Sequence, residues 1–208
     1  MKTQKPKKEK SGMTRRGFIK QFGVTSLGMA AGGEGLLGAW QNSCAAASEP
    51  KLSGPGASEL VLQVNGKNFS VRVEPRATLA EVLRDHLHLT GTKISCDRGA
   101  CGSCTVILAG HTVNACMTLA VEASGKEIQT IEGLEMNGKL HAIQESFIAH
   151  DAMQCGFCTP GMLMTCKHLL DNHADPSLDE VKLATSGNLC RCGTYPKVFE
   201  AVMKMPKG

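Results

Sequence analysis

The chain of 208 residues has room for one or two modest domains once any leader is set aside. Its formal charge of +4 is unevenly placed: residues 1–20 hold eight Lys/Arg and one Glu, while residues 48–208 hold 15 basic and 17 acidic side chains, a balance that excludes a basic nucleic-acid footprint from the folded part. One Trp, one Tyr and six Phe leave few large aromatics for a core, so bound metal would have to supplement apolar burial.

The N-terminus reads as an address. Thr14-Arg15-Arg16-Gly17-Phe18-Ile19-Lys20 precedes a weakly apolar stretch, Phe22 to Trp40, and then Ala45-Ala46-Ala47, so residues 1–47 are expected to be a twin-arginine signal peptide directing export to the periplasm. The stretch is Gly-rich and interrupted by Glu34, whereas a permanent membrane span needs about 20 more uniformly apolar residues. The twin-arginine route resembles the one used for proteins that fold and load cofactors before export, so the ten cysteines need not form the disulfide framework usual in exported chains. Cys44 falls within the leader, and Gln41-Asn42-Ser43 before it does not suit lipidation. Residues 48–57, with Pro50, Gly54, Pro55 and Gly56, read as a linker.

Residues 58–134 form the first expected domain. Leu60, Leu62 and Val64, then Phe69, Val71 and Val73, alternate around Asn65-Gly66 and predict a hairpin. Thr78-Leu-Ala-Glu81 is a capping box, and Leu79, Val82, Leu83 and Leu87 predict a helix running up to Gly91. Thr105 to Leu108 and Val113 to Cys116 predict a second hairpin around Ala109-Gly110-His111, and Glu127 to Ile131 a last strand. The sum is a small mixed sheet crossed by one helix, compatible with a ferredoxin-type β-grasp.

Between helix and second hairpin lies Cys96-Asp-Arg-Gly-Ala-Cys101-Gly-Ser-Cys104, with a further cysteine at Cys116. This is the spacing of a plant-type 2Fe-2S cluster. Three thiolates come from one tight loop and the fourth from a neighbouring element; Gly99 and Gly102 supply the positive φ that lets backbone N–H groups face an anionic cluster.

Residues 135–208 change to helical periodicity. Leu140, Ile143, Phe147 and Ile148 mark one helix; Met162, Met164 or Leu163, Cys166, Leu169 and Leu170 a second; the capping box Ser177-Leu-Asp-Glu180 opens a third through Val181 and Leu183; and Val198, Phe199 and Val202 mark a fourth. Cys155-x2-Cys158 precedes the second helix and Cys190-x-Cys192 the fourth, each with a proline, Pro160 or Pro196, near the following first turn. Two helical hairpins related by an approximate two-fold would bring both pairs to one end of a four-helix unit. By ligand number alone the four sulfurs suit zinc or a 2Fe-2S cluster. C-x-C is unusual for structural zinc, and the first set makes a second cluster the economical reading. Cys166 reads as a small core residue. Arg98 and Arg191, each beside a cluster ligand, are candidates for tuning a potential or for surface ion pairs. No catalytic motif is present: there is no G-x-S-x-G, no Walker A and no dinucleotide fingerprint. The chain moves electrons and is expected to contribute no catalytic residue of its own.

With both cysteine sets in view, and with Gln154-Cys-Gly-Phe-Cys-Thr-Pro-Gly161 and Asn188-Leu-Cys-Arg-Cys-Gly193 alongside the first loop, the sequence resembles the iron-sulfur subunit of the molybdenum hydroxylases, the xanthine dehydrogenase and aldehyde oxidoreductase family. The leader makes it look most like the periplasmic aldehyde oxidoreductases. The resemblance covers roughly Leu60 to Met203 and implies an α+β chain, a β-grasp ferredoxin domain followed by a four-helix 2Fe-2S domain with pseudo-two-fold symmetry. It further implies that Cys155, Cys158, Cys190 and Cys192 hold the cluster proximal to a molybdopterin in a large partner subunit, with Gln154 and Cys192 nearest the pterin. Cys96, Cys101, Cys104 and Cys116 would hold the distal cluster. Electrons from substrate would leave through both clusters to FAD in another subunit or to an external acceptor such as a cytochrome. A small subunit of an N-heterocycle hydroxylase, a free two-cluster ferredoxin and a zinc-based module are the competing readings.

Overall fold

A computed structural model describes residue 54 and residues 56–205. The expected leader over 1–47 and most of the expected linker over 48–57 lie outside the described residues. Among the described residues no helix is long and apolar enough to cross a membrane.

Alternating side chains fold β1 (Ser58–Val64) against β2 (Lys67–Val73), antiparallel with Leu62 opposite Phe69. Asn65 and Gly66 both take positive φ, as the tight turn requires, and the buried set Leu60, Leu62, Val64, Val71 and Val73 shares one face. β5 (Glu127–Gln129) lies parallel to β1 on its other side, and β3 (Thr105–Leu108) pairs antiparallel with both β5 and β4 (His111–Asn114). The resulting five-stranded mixed sheet has the order β2-β1-β5-β3-β4.

The crossing helix is shorter than its apolar spacing predicts. The Thr78 hydroxyl and the Glu81 carboxylate cap each other's backbone as expected, and one α-turn, α1 (Leu79–Glu81), continues as a π-turn, Val82–His86. Leu87 N–H reaches back to Val82 O, and His88 has φ +58, so the helix stops well before Gly91. The wider turn still buries Leu79, Val82 and Leu83 completely. Arg84, on its exposed side, donates to the carbonyls of Thr90 and Thr92 at 3.0 and 2.7 Å and pulls the outgoing chain back along it.

Two strand boundaries also move. The second hairpin turns at Ala109 and Gly110, both at positive φ, so β4 begins at His111 rather than at Val113, and Cys116 sits in a 3₁₀ turn, Ala115–Met117. β5 stops at Gln129 because the Asn65 side chain takes Thr130, accepting from its N–H and donating to its hydroxyl at 2.9 Å each; a 3₁₀ turn, Ile131–Gly133, follows.

The second half contains α2 (Ala142–Ala149), α3 (Thr159–Asn172), α4 (Leu178–Thr185) and α5 (Tyr195–Met203). α2 starts after Leu140, which is left exposed together with Ile148. Its entry is a capping box absent from the sequence reading, in which the Gln144 carboxamide accepts the His141 N–H at 2.9 Å and His141 Nδ1 accepts the Ile143 N–H. α2 packs on α5, where the Ser146 hydroxyl donates to Ala201 O at 2.6 Å, and α3 packs on α4. Ile143, Phe147, Met162, Met164, Val181, Val198, Ala201 and Val202 form the helical core.

β3 joins the two halves. All four of its residues are buried: Val106 and Leu108 face the sheet core with α1, whereas Ile107, on the opposite face, belongs to the helical core against α3. Period-two alternation thus gives one strand two apolar faces, the pattern of a strand covered on both sides.

Candidate functional site

The loop before β3 is shaped from its ends. Arg84 and Lys93 hold the carbonyls at Thr90 and Thr92, and the Glu132 carboxylate accepts the Gly91 N–H at 2.8 Å. Asp97, Gly99 and Gly102 all take positive φ and curl residues 96–104 inward. Gly99 N–H then points at Cys116 Sγ and Ala100 N–H at Cys96 Sγ, each at 3.3 Å, while the Asn114 carboxamide holds the Gly99 carbonyl at 3.2 Å. Asn114 ends β4 two residues before Cys116, so the hairpin delivers the fourth cysteine to the loop, as its spacing requires.

The four thiols, none of them in a disulfide, lie close enough to act on one another: Cys101 on Cys96, and both Cys116 and Cys101 on Cys104. The Arg98 amide and then the Cys101 thiol hold Cys96 down to about 7, whereas burial pushes Cys104 up to about 12.

The second set occupies the entry to α3 and the turn before α5. Cys158 is the residue before the first turn of α3, with Pro160 inside that turn, and Gly156 takes positive φ between Cys155 and Cys158. Cys190 and Cys192 lie in the α4–α5 connection, whose Gly193 also takes positive φ. Here too the thiols act on one another: Cys192 and Cys190 on Cys155, and Cys190 and Cys155 on Cys158. Burial lifts Cys158 to about 12. Burial would lift Cys190 too, but the Thr194 hydroxyl at 3.2 Å, the Thr194 amide and the Cys158 thiol hold it down to about 7. The Phe157 amide and Cys192 lower Cys155.

Eight of the nine cysteines after the leader therefore fall into two groups of four. The ninth, Cys166, is fully buried in the helical core, its thiol raised to about 12 by burial alone. Among the described residues no three His, Cys, Asp or Glu side chains close on a point that could hold a single ion. Four cysteines to a set, with loop amides directed at sulfur in the first, suit a 2Fe-2S cluster. Gln154, Cys155 and Cys192 are exposed, whereas Cys104 and Cys116 are buried. Arg98 and Arg191 are exposed, and among the described residues neither forms an ion pair.

Three contributors were not singled out by sequence reasoning. The Tyr195 hydroxyl accepts the Cys190 N–H at 2.8 Å and donates to Asn188 O at 3.2 Å. Asn188 is buried and donates to Gly102 O. Thr194 holds the Cys190 sulfur. Their positions beside Cys190 and Cys192 are the only local signal of these roles.

Residues 62–130 match the family described as "2Fe-2S iron-sulfur cluster binding domain", and residues 130–203 match the "[2Fe-2S] binding domain" family. The 6-hydroxypseudooxynicotine dehydrogenase complex subunit beta of Paenarthrobacter nicotinovorans is 48% identical over 149 residues, which take in 71% of this chain and 92% of that one. The chain belongs to the iron-sulfur small subunits of the molybdenum hydroxylases. Another such subunit, the aldehyde oxidoreductase iron-sulfur-binding subunit PaoA of Escherichia coli, is 40% identical over 206 residues, or 91% of this chain and 86% of that one. Among solved structures, quinoline 2-oxidoreductase from Pseudomonas putida 86 superposes with a TM-score of 0.70 at 47% identity, over 71% of this chain and 91% of that one. Small subunits of this family carry 2Fe-2S clusters and work with a large subunit that bears the molybdenum cofactor, so this chain is the electron-transfer component of a molybdenum-dependent oxidoreductase. Neither a zinc module nor a free carrier fits that membership.

Proposed function

We propose that the chain relays electrons out of a periplasmic, molybdenum-dependent aldehyde oxidoreductase. Cys155, Cys158, Cys190 and Cys192 hold the cluster nearer the partner's molybdopterin, with Gln154 and Cys192 facing it; Cys96, Cys101, Cys104 and Cys116 hold the outer one. A 2Fe-2S cluster in each set supplies one-electron storage, which splits the two-electron oxidation of an aldehyde to a carboxylic acid into single steps. The protein's own part is to bring four thiols together in each set, direct the Gly99 and Ala100 amides at sulfur, and bury Cys104. FAD in a further subunit, or an external acceptor such as a cytochrome, takes the electrons. Residues 58–134 and 135–208 act as the two cluster domains, the second a four-helix unit with an approximate two-fold relating its cysteine pairs.

The observation that carries the aldehyde reading is the extent of the match to the Escherichia coli subunit: it takes in 91% of the chain, more than residues 58–208 hold, and so runs into the expected leader. A second reading, the small subunit of an N-heterocycle hydroxylase, draws on the 48% and 47% identities to the 6-hydroxypseudooxynicotine dehydrogenase subunit and quinoline 2-oxidoreductase. Purification of the chain with its partners from the periplasm, with molybdenum, iron and FAD assayed together and aldehydes compared with N-heterocycles as substrates, separates the two. Turnover of aldehydes supports the first reading, and turnover of N-heterocycles alone replaces it with the second. Replacement of Arg15 and Arg16 by lysines is expected to strand the protein in the cytoplasm; full periplasmic recovery would remove the export part of the proposal.

A further inference from the structure

Thr194 stands immediately before α5, where a threonine hydroxyl ordinarily accepts an amide of the first helical turn. Thr78 and Ser177 do this at the starts of α1 and α4. Each takes the amide of the third helical residue at 3.3 Å, from an extended backbone with ψ 154 and 160. Thr194 has ψ 5 and makes no such bond. Its hydroxyl lies 3.2 Å from Cys190 Sγ instead, its one side-chain partner among the described residues.

The sequence of the turn explains the diversion. Pro196, in the first turn, has no N–H, and the Lys197 and Val198 amides both go to the Thr194 carbonyl at 3.0 Å. The amides that a cap would take are thus absent or already bonded. Thr194 is 4% exposed, so the sulfur and not water satisfies its hydroxyl. A cysteine that binds iron does so as a thiolate, which accepts hydrogen bonds and cannot donate them; the bond then runs from Thr194 to Cys190 in that state only. Reduction puts a further negative charge on the centre, and a donor aimed at its sulfur stabilises the more negative state more.

Resting on the reading that Cys155, Cys158, Cys190 and Cys192 hold a 2Fe-2S cluster, we infer that Thr194 is the positioning residue that raises the reduction potential of this centre, by donating its hydroxyl hydrogen bond to the Cys190 sulfur. The residue gives up its helix cap to do so. In a relay that draws electrons from a partner's cofactor, a higher potential at the first acceptor favours their departure and opposes their return. One electron enters the centre and later leaves it; the hydroxyl proton stays on oxygen, and no covalent bond forms or breaks.

The test uses the complete enzyme with three variants of this chain. Thr194→Val keeps the shape and removes the hydroxyl, Thr194→Ala removes it without setting a methyl group against the sulfur, and Thr194→Ser keeps the hydroxyl and removes the methyl. Iron content and a redox titration followed by electron paramagnetic resonance are read on each, the signal lost in Cys155→Ala identifying the centre concerned. We expect about four irons per chain in all three. The midpoint potential of that centre should fall in Thr194→Val and Thr194→Ala and stay at the wild-type value in Thr194→Ser, with the other centre unmoved throughout. Full iron with unchanged potentials, or a fall in Thr194→Ser as large as in Thr194→Val, would overturn the role of the hydroxyl and leave the proposed function standing. Iron loss from both Thr194→Val and Thr194→Ala would show that the hydroxyl holds the centre in place rather than setting its potential, and would overturn the inference too. Should Thr194→Val alone shed iron, Thr194→Ala decides. Wild-type enzyme lacking two distinct 2Fe-2S signals would overturn the proposed function, and the inference with it.

Discussion

Gly161, in the first turn of α3, lies against the carbonyl of Gly102 so closely that a methyl group on it would stand 2.1 Å from that oxygen and 3.0 Å from the Ser103 backbone. Both contacts are main chain, so neither can swing aside. Gly161→Ala is expected to destabilise the protein by about 1–3 kcal/mol, the range for overpacking a tight site, with the Cys101–Cys104 loop forced outward. Thermal unfolding measures the first effect and the visible spectrum of the outer centre the second.

If the proposed ligand sets are right, removal of single cysteines should separate the two centres. Cys101→Ala and Cys155→Ala are each expected to lower iron from about four to about two per chain, and each variant should keep the spectrum of the centre it does not touch. Iron analysis and paramagnetic resonance check this. Loss of all iron in both variants would show instead that the centres load only together. Cys166→Ala should leave iron unchanged, since its buried thiol touches neither set.

Tyr195→Phe deletes one hydroxyl and with it two hydrogen bonds, one from Cys190 N–H and one to Asn188 O. The Cys190 amide, left without its partner, makes the change cost about 1–3 kcal/mol. The spectrum and potential of the centre proposed at Cys155, Cys158, Cys190 and Cys192 are expected to shift. Those of the other centre should shift less, because the change reaches its loop indirectly, through Asn188 and Leu189.

The cap of α1 should make part of the stability depend on acid. Glu81 is held below its ordinary value of 4.5, first by the Thr78 amide and then by the Thr78 hydroxyl. A carboxyl whose folded value is depressed contributes stability that is present above the unfolded value and lost as pH falls through the folded one. The melting temperatures of wild type and Glu81→Gln should therefore differ most above pH 4.5 and converge below it. Thr78→Ala, which removes the cap itself, should cost about 1 kcal/mol at neutral pH.

What could be read from the sequence was what neighbouring residues decide. Asn65-Gly66 dictates its own turn, Thr78/Glu81 and Ser177/Glu180 cap their own helices, and the cysteine spacings mark their own loops. Misreadings arose where distant groups intervene. β5 ends early because Asn65 captures Thr130, 65 residues away. The crossing helix opens into a π-turn while Arg84 draws in Thr90 and Thr92, which apolar spacing cannot reveal. The cap at His141 was missed because histidine is not among the residues that usually announce a helix start. Asn188 was visible as a neighbour of Cys190, but its partner Gly102 lies 86 residues earlier, and nothing local joins them.

The single side chain of Ile107 limits how this chain could be recombined. It points away from its own sheet into the helical core, so a ferredoxin-like domain that ends its life in water at that face would need a polar residue there. Shuffling the sheet of this chain onto another partner, or grafting its helices onto another ferredoxin, would expose or orphan that position. The sheet and the helices thus share a buried residue, and position 107 is one that any chimaera would have to redesign.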